Sequence, residues 1–155
     1  MSCWIGNNRT GETGRKSNGG IGILYDSILT PQTTVKSEDW LAVSIHMENV
    51  RWFFITVYIR NAQKDENTRV FDKISSFIET NCTQYDCIFI AGDFNAHIDQ
   101  LSGKTDTRGI LLNEFVHQHQ LTIVNLSDKR PIKVGLREVK LRLIIFYVTN
   151  TRTKK

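Results

Sequence analysis

Asp93 and Asn95 stand near the tip of the stretch Ile88 to His97, IFIAGDFNAH, which carries no charge before the aspartate. A carboxylate and a carboxamide two residues apart suit work on a phosphate ester. The acid orients or deprotonates a water, or helps to hold a hard metal ion, and the amide N–H donates to a phosphoryl oxygen. In an extended backbone the two side chains point to one side and can converge on one small ligand. The competing account is structural: Asp93 and Asn95 accept backbone N–H groups in an Asx turn or a helix cap. A charged carboxylate removed from water without a partner costs several kcal/mol, so Asp93 requires a cation, a set of donors or an open cleft.

The elements that must deliver this pair follow from the apolar pattern. CIFIAG (87–92) has no polar alternation, so both faces must be covered, and it reads as a central strand between layers. Ligands of open α/β sheets sit at the carboxyl ends of such strands. IGILY (21–25), LAVSIH (41–46) and RWFFITVYI (51–59) are β-branched and aromatic runs, the last two joined by the turn-like MENV as an antiparallel hairpin. From Asn67 to about Thr80, Val70, Ile74, Phe77 and Ile78 form the stripe of an amphipathic helix. Asp106 or Thr107 caps a second helix, with Leu111, Leu112, Phe115, Val116 and His119 on one face. LTIVN (121–125) and LRLIIFYVTN (141–150) complete the strands, and residues 6–20, rich in Gly, Asn, Ser and Thr, read as a mobile loop. The order β-β-β-α-β-α-β-β fits mixed sheets with outer helices better than a strictly parallel winding.

Composition places the chain among ordinary globular proteins. Its 155 residues, 40% hydrophobic, suit a single domain over 1–155. No window approaches the roughly eighteen apolar residues of a spanning helix, and the N-terminus lacks the order of a signal peptide, so no membrane is expected. Cys3, Cys82 and Cys87 are an odd number without zinc spacing, which points to a reducing compartment rather than a disulfide framework. Residues 129–155 hold nine Lys/Arg against Glu138 alone, while the preceding 128 residues are net −4. Such a basic C-terminal segment attracts a phosphate backbone or is simply a solvated face.

Ordered blocks carry a resemblance. GDFNAH after a hydrophobic strand, TVYIRNA (56–62) upstream and a helix between them resemble the endonuclease/exonuclease/phosphatase superfamily. Within it, the apurinic-endonuclease-like domain of LINE-type (non-LTR) retrotransposons is most similar. NGGIGILY resembles the glycine-led strand before these blocks, and TRGILLNEFVHQHQLTIVN the helix and strand after them, so the match spans most of residues 18–125. It implies an α/β (α+β) fold: a four-layer αββα sandwich of two mixed sheets with outer helices, here incomplete. It also implies Mg2+ as cofactor, DNA as partner, a reverse transcriptase domain in a parent polyprotein, and an intracellular, nuclear setting. By position, Asp93 matches the acid that places the attacking water and Asn95 the amide that stabilises the pentacovalent phosphate. Tyr58 matches a phosphate-contacting tyrosine and Asn61 an amide that touches the nucleic-acid backbone. Read from their strand alone, Tyr58 is a half-buried aromatic and Asn61 a turn residue. Arg60, where many relatives have proline or a small residue, adds a phosphate contact or is an exposed strand end, and His97 packs beside the cleft rather than reacting.

The departures bear on activity. Relatives begin with a strand ending in asparagine and one ending in a metal-holding glutamate, and this chain starts too late for either. Glu12 in GETG lies in a glycine-rich loop instead. Relatives carry a late-strand aspartate where Ile144 stands in LRLIIFYV, and their closing Ser-Asp-His has no counterpart, SDK (127–129) lying before the last strand. His46, His117 and His119 fall in expected strands or helices. The resulting expectation is magnesium-dependent phosphodiester hydrolysis of DNA, impaired by these losses. The alternatives are a non-catalytic nucleic-acid-binding remnant, a phosphatase acting on a small phosphate ester, and an unrelated α/β domain with a coincidental GDFN.

Overall fold

The computed structural model describes residues 1–8, 20–60, 64–83, 86–99 and 103–124, together with the strand backbone at 133–134, 137–138 and 143–148. Strand β1 (Ser2–Asn8) pairs antiparallel with β2 (Gly20–Asp26) as a two-stranded sheet. After β3 (Thr33–Lys36), β4 (Trp40–Met47) and β5 (Val50–Tyr58) form a hairpin in register from Trp40 opposite Val57 to Met47 opposite Val50. Its two-residue turn has φ 51° at Glu48 and 65° at Asn49, the double positive φ that matches the twist of the flanking strands.

Helix α1 (Lys64–Asn81) returns the chain so that β6 (Cys87–Asp93) pairs parallel with β5, a pairing that requires such a crossover. Helix α2 (Thr107–Gln118) follows, then β7 (Thr122–Ile123), β8 (Lys133–Val134), β9 (Arg137–Glu138) and β10 (Leu143–Val148). Strands β8 and β9 pair with each other, and the main sheet has six strands in the order β3-β4-β5-β6-β10-β7, mixed because only β5 and β6 run parallel.

Alternation divides the two faces of this sheet. Trp40, Ala42, Phe53, Ile55, Val57, Ile88 and Ile90 join Phe71, Ile74, Phe77, Leu112 and Phe115 of the helices in one core. Phe71 links the layers, its ring 5.3 Å from that of Phe115 and 6.3 Å from that of Phe94. On the other face Leu41, Val43 and Ile45 are buried, and β2 lies against β4 and β5 there. The architecture is therefore α+β: helices, a six-stranded sheet and two two-stranded sheets. Among the described residues no helix covers the outer face of β1 and β2, so the four-layer sandwich is incomplete. On that face Trp4 rests across Gly6 and Gly22 and is 63% exposed.

Four strands depart from the sequence expectation: β1, β3 and the two-residue pair β8 and β9. Strand β1 takes residues 6–8 out of the expected mobile loop, whose remaining residues 9–19 lie outside the described residues. Strand β3 was not expected because TTVK is too short to show a period; pairing with β4 defines it. The basic segment from 129 onward is described only through its strand backbones. Neither helix is long and apolar enough to cross a membrane.

An ion pair fastens the end of the sheet where β5 starts. Arg51 Nε donates to Asp86 Oδ1 at 3.0 Å and a terminal nitrogen donates to Oδ2 at 2.6 Å and to the Asn81 carbonyl at 3.1 Å. Thr83 adds its N–H and hydroxyl to Asp86 Oδ2, joining the end of α1 to the entry of β6. Burial pushes the Asp86 carboxyl up, but the bonds from Arg51 and Thr83 outweigh it and hold the group below its ordinary 3.8. Asp86→Ala strands the guanidinium and is expected to cost about 3 kcal/mol in urea unfolding. Because the folded-state pKa is lowered, the contribution of Asp86 is complete above 3.8 and disappears as pH falls through the lower folded value. Acid titration of unfolding free energy, wild type against Asp86→Ala, should show the difference shrinking below that pH.

Candidate functional site

The parallel register places Tyr58 directly beside Asp93 at the carboxyl ends of β5 and β6. The ladder runs one step further, with the Ile59 N–H donating to the Asp93 carbonyl at 2.8 Å. Gly92, opposite Val57, makes this closeness possible. Its φ is +157°, and a Cβ built there would lie 1.8 Å from the Val57 carbonyl oxygen.

Beyond Asp93 the chain does not stay extended. Asp93 Oδ1 accepts the Asn95 backbone N–H at 2.9 Å, an Asx turn, and Asn95 adopts φ +47°. The premise that an extended backbone aligns the two side chains therefore fails. Asn95 instead turns toward β5, its Nδ2 donating to the Ile59 carbonyl at 2.7 Å. The turn occupies one carboxylate oxygen and one amide hydrogen. Asp93 Oδ2 and Asn95 Oδ1 make no hydrogen bond among the described residues. Both side chains remain half-buried, and Tyr58 is 37% exposed on the neighbouring strand. Three groups able to contact an ester, namely a carboxylate oxygen, a carboxamide and a phenol, thus meet at one strand edge.

The connection between β3 and β4 braces this edge. The Asp39 carbonyl accepts the Tyr58 N–H at 2.9 Å, and Asp39 Oδ1 accepts from Arg60 Nε at 3.1 Å. Arg60 also pairs with Glu38, the main reason its pKa is raised. Arg60, expected to add a phosphate contact or to be an exposed strand end, has its guanidinium held by these two carboxylates and is 41% exposed. A hollow of about 250 Å³ opens beside it, lined by Glu38, Asp39, Glu66, Asn67 and Arg69 among others, but Tyr58, Asp93 and Asn95 do not line it. Asn61 and Glu12 lie outside the described residues.

His97 is half-buried, and its hydrogen bonds run through its backbone. Its N–H donates to Asp106 Oδ1 at 3.1 Å and its carbonyl accepts the Asp106 N–H at 3.1 Å. Asp106 caps α2 as expected from its position. The bond to His97 across nine residues is a tertiary contact that sequence spacing did not reveal. Burial pushes the Asp106 carboxyl up, and the N–H groups of Gly109 and His97 bring it below its ordinary value. The remaining histidines lie elsewhere. His46 pairs with Arg51 near the β4–β5 turn, His117 is exposed on α2, and His119 Nε2 lies 2.8 Å from Ser75 Oγ between the helices. Cys82 offers no nucleophile, its thiol pushed up to about 12 by burial.

Strand β10 passes on the other side of β6, with Leu143 opposite Asp93 and Ile144 opposite Gly92. Ile144, expected at the position of the relatives' late-strand acid, thus pairs with Gly92, and Leu143 is the residue opposite Asp93. Among the described residues no three His, Cys, Asp or Glu side chains assemble as a metal-binding group. The described donors therefore do not fit a divalent-cation site.

A mixed sheet with helices on one face, a second sheet on the other and an Asp-Asn turn at the parallel strand edge define the endonuclease/exonuclease/phosphatase fold. A family model described as endonuclease-reverse transcriptase matches residues 52–137, and the chain belongs to that family of the endonuclease/exonuclease/phosphatase superfamily. No curated protein matches it in sequence. The fold is shared with the endonuclease domain of TRAS1, a telomere-specific non-LTR retrotransposon, at TM-score 0.68 and 16% identity, covering 94% of this chain and 67% of that one. Human Nocturnin's catalytic domain with bound sulfate follows at TM-score 0.60 and 11% identity, covering 94% and 60%. D. rerio TDP2 complexed with single-strand DNA product gives TM-score 0.58 and 11% identity, covering 99% and 64%. The chain thus spans between 60% and 67% of the length of these solved domains.

Gly92→Ala should force β5 and β6 apart and lower stability by about 2 to 3 kcal/mol in urea unfolding. Unfolding of the variant together with wild type would contradict the close approach at Val57.

Proposed function

We propose that the chain hydrolyses phosphodiester bonds of DNA as a magnesium-dependent, retrotransposon-type endonuclease with impaired turnover. The observation that carries this reading is the placement of Tyr58 beside Asp93, whose second carboxylate oxygen takes no hydrogen bond from the described residues after the Asx turn is made. That oxygen accepts a hydrogen bond from a water and takes its proton as the water oxygen bonds to phosphorus, while the bond from phosphorus to the sugar oxygen breaks and the departing alkoxide takes a proton from solvent. The Tyr58 hydroxyl and the second Asn95 amide hydrogen donate to the phosphoryl oxygens as negative charge grows on them. Because the described residues assemble no cation site, no step here runs through the metal. The impairment follows from Leu143 and Ile144 beside the acid, since electrostatic groups of this kind contribute factors of ~10² to 10³ each. DNA is favoured over a small phosphate ester by the likeness to the TRAS1 endonuclease domain and to TDP2 in complex with a DNA product. The same reading makes a reverse transcriptase domain the partner in a parent polyprotein and the nucleus the setting.

A second reading, a non-catalytic nucleic-acid-binding remnant, is favoured by the same aliphatic pair next to Asp93 and by the basic composition of residues 129–155. Supercoiled plasmid and an abasic duplex, incubated with the full chain in Mg2+ or in chelator, separate the two. Slow nicking that needs Mg2+ and falls at least ~10²-fold in Asp93→Ala is the expected result. Cleavage unchanged by Asp93→Ala overturns the assignment. Binding that weakens steeply with salt, without cleavage, selects the second reading. Hydrolysis of a soluble phosphomonoester with no action on DNA selects a phosphatase.

A further inference from the structure

One side of the segment that leaves β6 packs into the core. Phe94, Ala96 and Ile98 are buried, and Asn95 and His97 alternate with them toward the site edge. Asn95 sits at φ +47°, a conformation that a side-chain-bearing residue keeps only when its surroundings hold it. Its amide bond to Ile59 restrains it from the β5 side. The restraint from the other side comes from Asp106. A single oxygen, Oδ1, accepts the His97 N–H at 3.1 Å and the Gly109 N–H at 2.7 Å, and the Asp106 N–H returns a bond to the His97 carbonyl.

The loop between these residues is closed as well, the Asp99 N–H reaching Thr105 Oγ1 at 3.1 Å and the Gly103 N–H reaching the Asp99 carbonyl at 2.8 Å. Gly109 completes the seat: a Cβ there would lie 1.8 Å from the His97 carbonyl oxygen, so the first turn of α2 rests directly on this backbone. The carboxylate that starts the helix therefore also fixes where the Asn95–His97 segment can lie.

We propose that Asp106 is a positioning residue for the hydrolytic site, holding Asn95 in the orientation from which its amide meets the phosphoryl group. This inference rests on the hydrolase reading. Misplacing a contacting group by about 1 Å costs on the order of 10²-fold in rate while leaving the remaining substrate contacts in place. Loss of Asp106 thus acts on kcat rather than on KM.

The test uses the full chain in Asp106→Ala and Asp106→Asn forms, with Arg51→Met as a variant weakened at the opposite end of the sheet. Mg2+-dependent plasmid nicking should lose ~10- to 100-fold in kcat in Asp106→Ala with KM within about threefold. Asp106→Asn, whose amide oxygen still accepts both N–H groups, should retain most of the rate, and Arg51→Met should keep kcat within about twofold where it is folded. Amide hydrogen exchange at Asn95 and His97 should accelerate in Asp106→Ala and not in Asp106→Asn. Equal loss of kcat in Asp106→Ala and Arg51→Met, or unchanged exchange at Asn95 and His97, overturns the proposal. If the wild-type chain does not nick DNA, the hydrolase reading fails, and the exchange measurement alone decides whether Asp106 holds the segment.

Discussion

The parallel contact between β5 and β6 governs the rest of the molecule. Parallel neighbours cannot be joined by a tight turn, so α1 must cross over one face of the sheet, and its apolar stripe supplies much of the core under that face. Both strands finish at the same level, which is why their last side chains, Tyr58 and Asp93, become lateral neighbours. The absence of a side chain at Gly92 lets the two backbones approach at that last step. A site made this way owes its geometry to strand pairing more than to any pocket, consistent with the hollow beside Arg60 lying off to one side.

The two ends of the sheet use charge differently. Where β5 begins, a half-buried Arg51 and a buried Asp86 form a two-pronged pair whose work is cohesion. At the other end, Arg60, two residues beyond Tyr58, is taken up by Glu38 and Asp39. Among the described residues the Asp93 side chain has no such counter-ion and makes only the turn bond. The charge that these described residues leave at the strand edge is thus negative, a condition suited to activating water and poorly suited to attracting a phosphate backbone. Any attraction for nucleic acid has to come from elsewhere, and the basic composition of residues 129–155 is the one place where the chain concentrates positive charge.

Much of this arrangement could be read from local pattern. CIFIAG is apolar on both faces because it is central, MENV turns because residues at positive φ are tolerated there, and the spacing of Val70, Ile74, Phe77 and Ile78 describes α1 before any packing is known. What escaped was set by contacts between distant segments. An extended backbone and an Asx turn are both compatible with Asp-Phe-Asn, and only the Ile59 carbonyl, 36 residues away, selects the second. Arg60 looked free because Glu38 and Asp39 approach from another turn, and Asp106 showed its helix cap but not its grip on His97. Strand β1 was hidden by a glycine and two asparagines that ordinarily mark a loop; pairing with the glycine-led β2 overrides that tendency.

The indole resting on two glycines has an optical consequence. Trp4 shows most of its surface to water, whereas Trp40 is 5% exposed, its ring 5.2 Å from that of Phe77 between the sheet and α1. The chain therefore carries a wet chromophore on the small outer hairpin, a dry one under α1, and a third, Trp52, half-buried on β5 with its ring 6.1 Å from that of Phe54. Emission from Trp4 is open to an aqueous quencher such as iodide, Trp52 is partly open and Trp40 is shielded, so the light that resists quenching is weighted toward the helix-covered core rather than the outer hairpin.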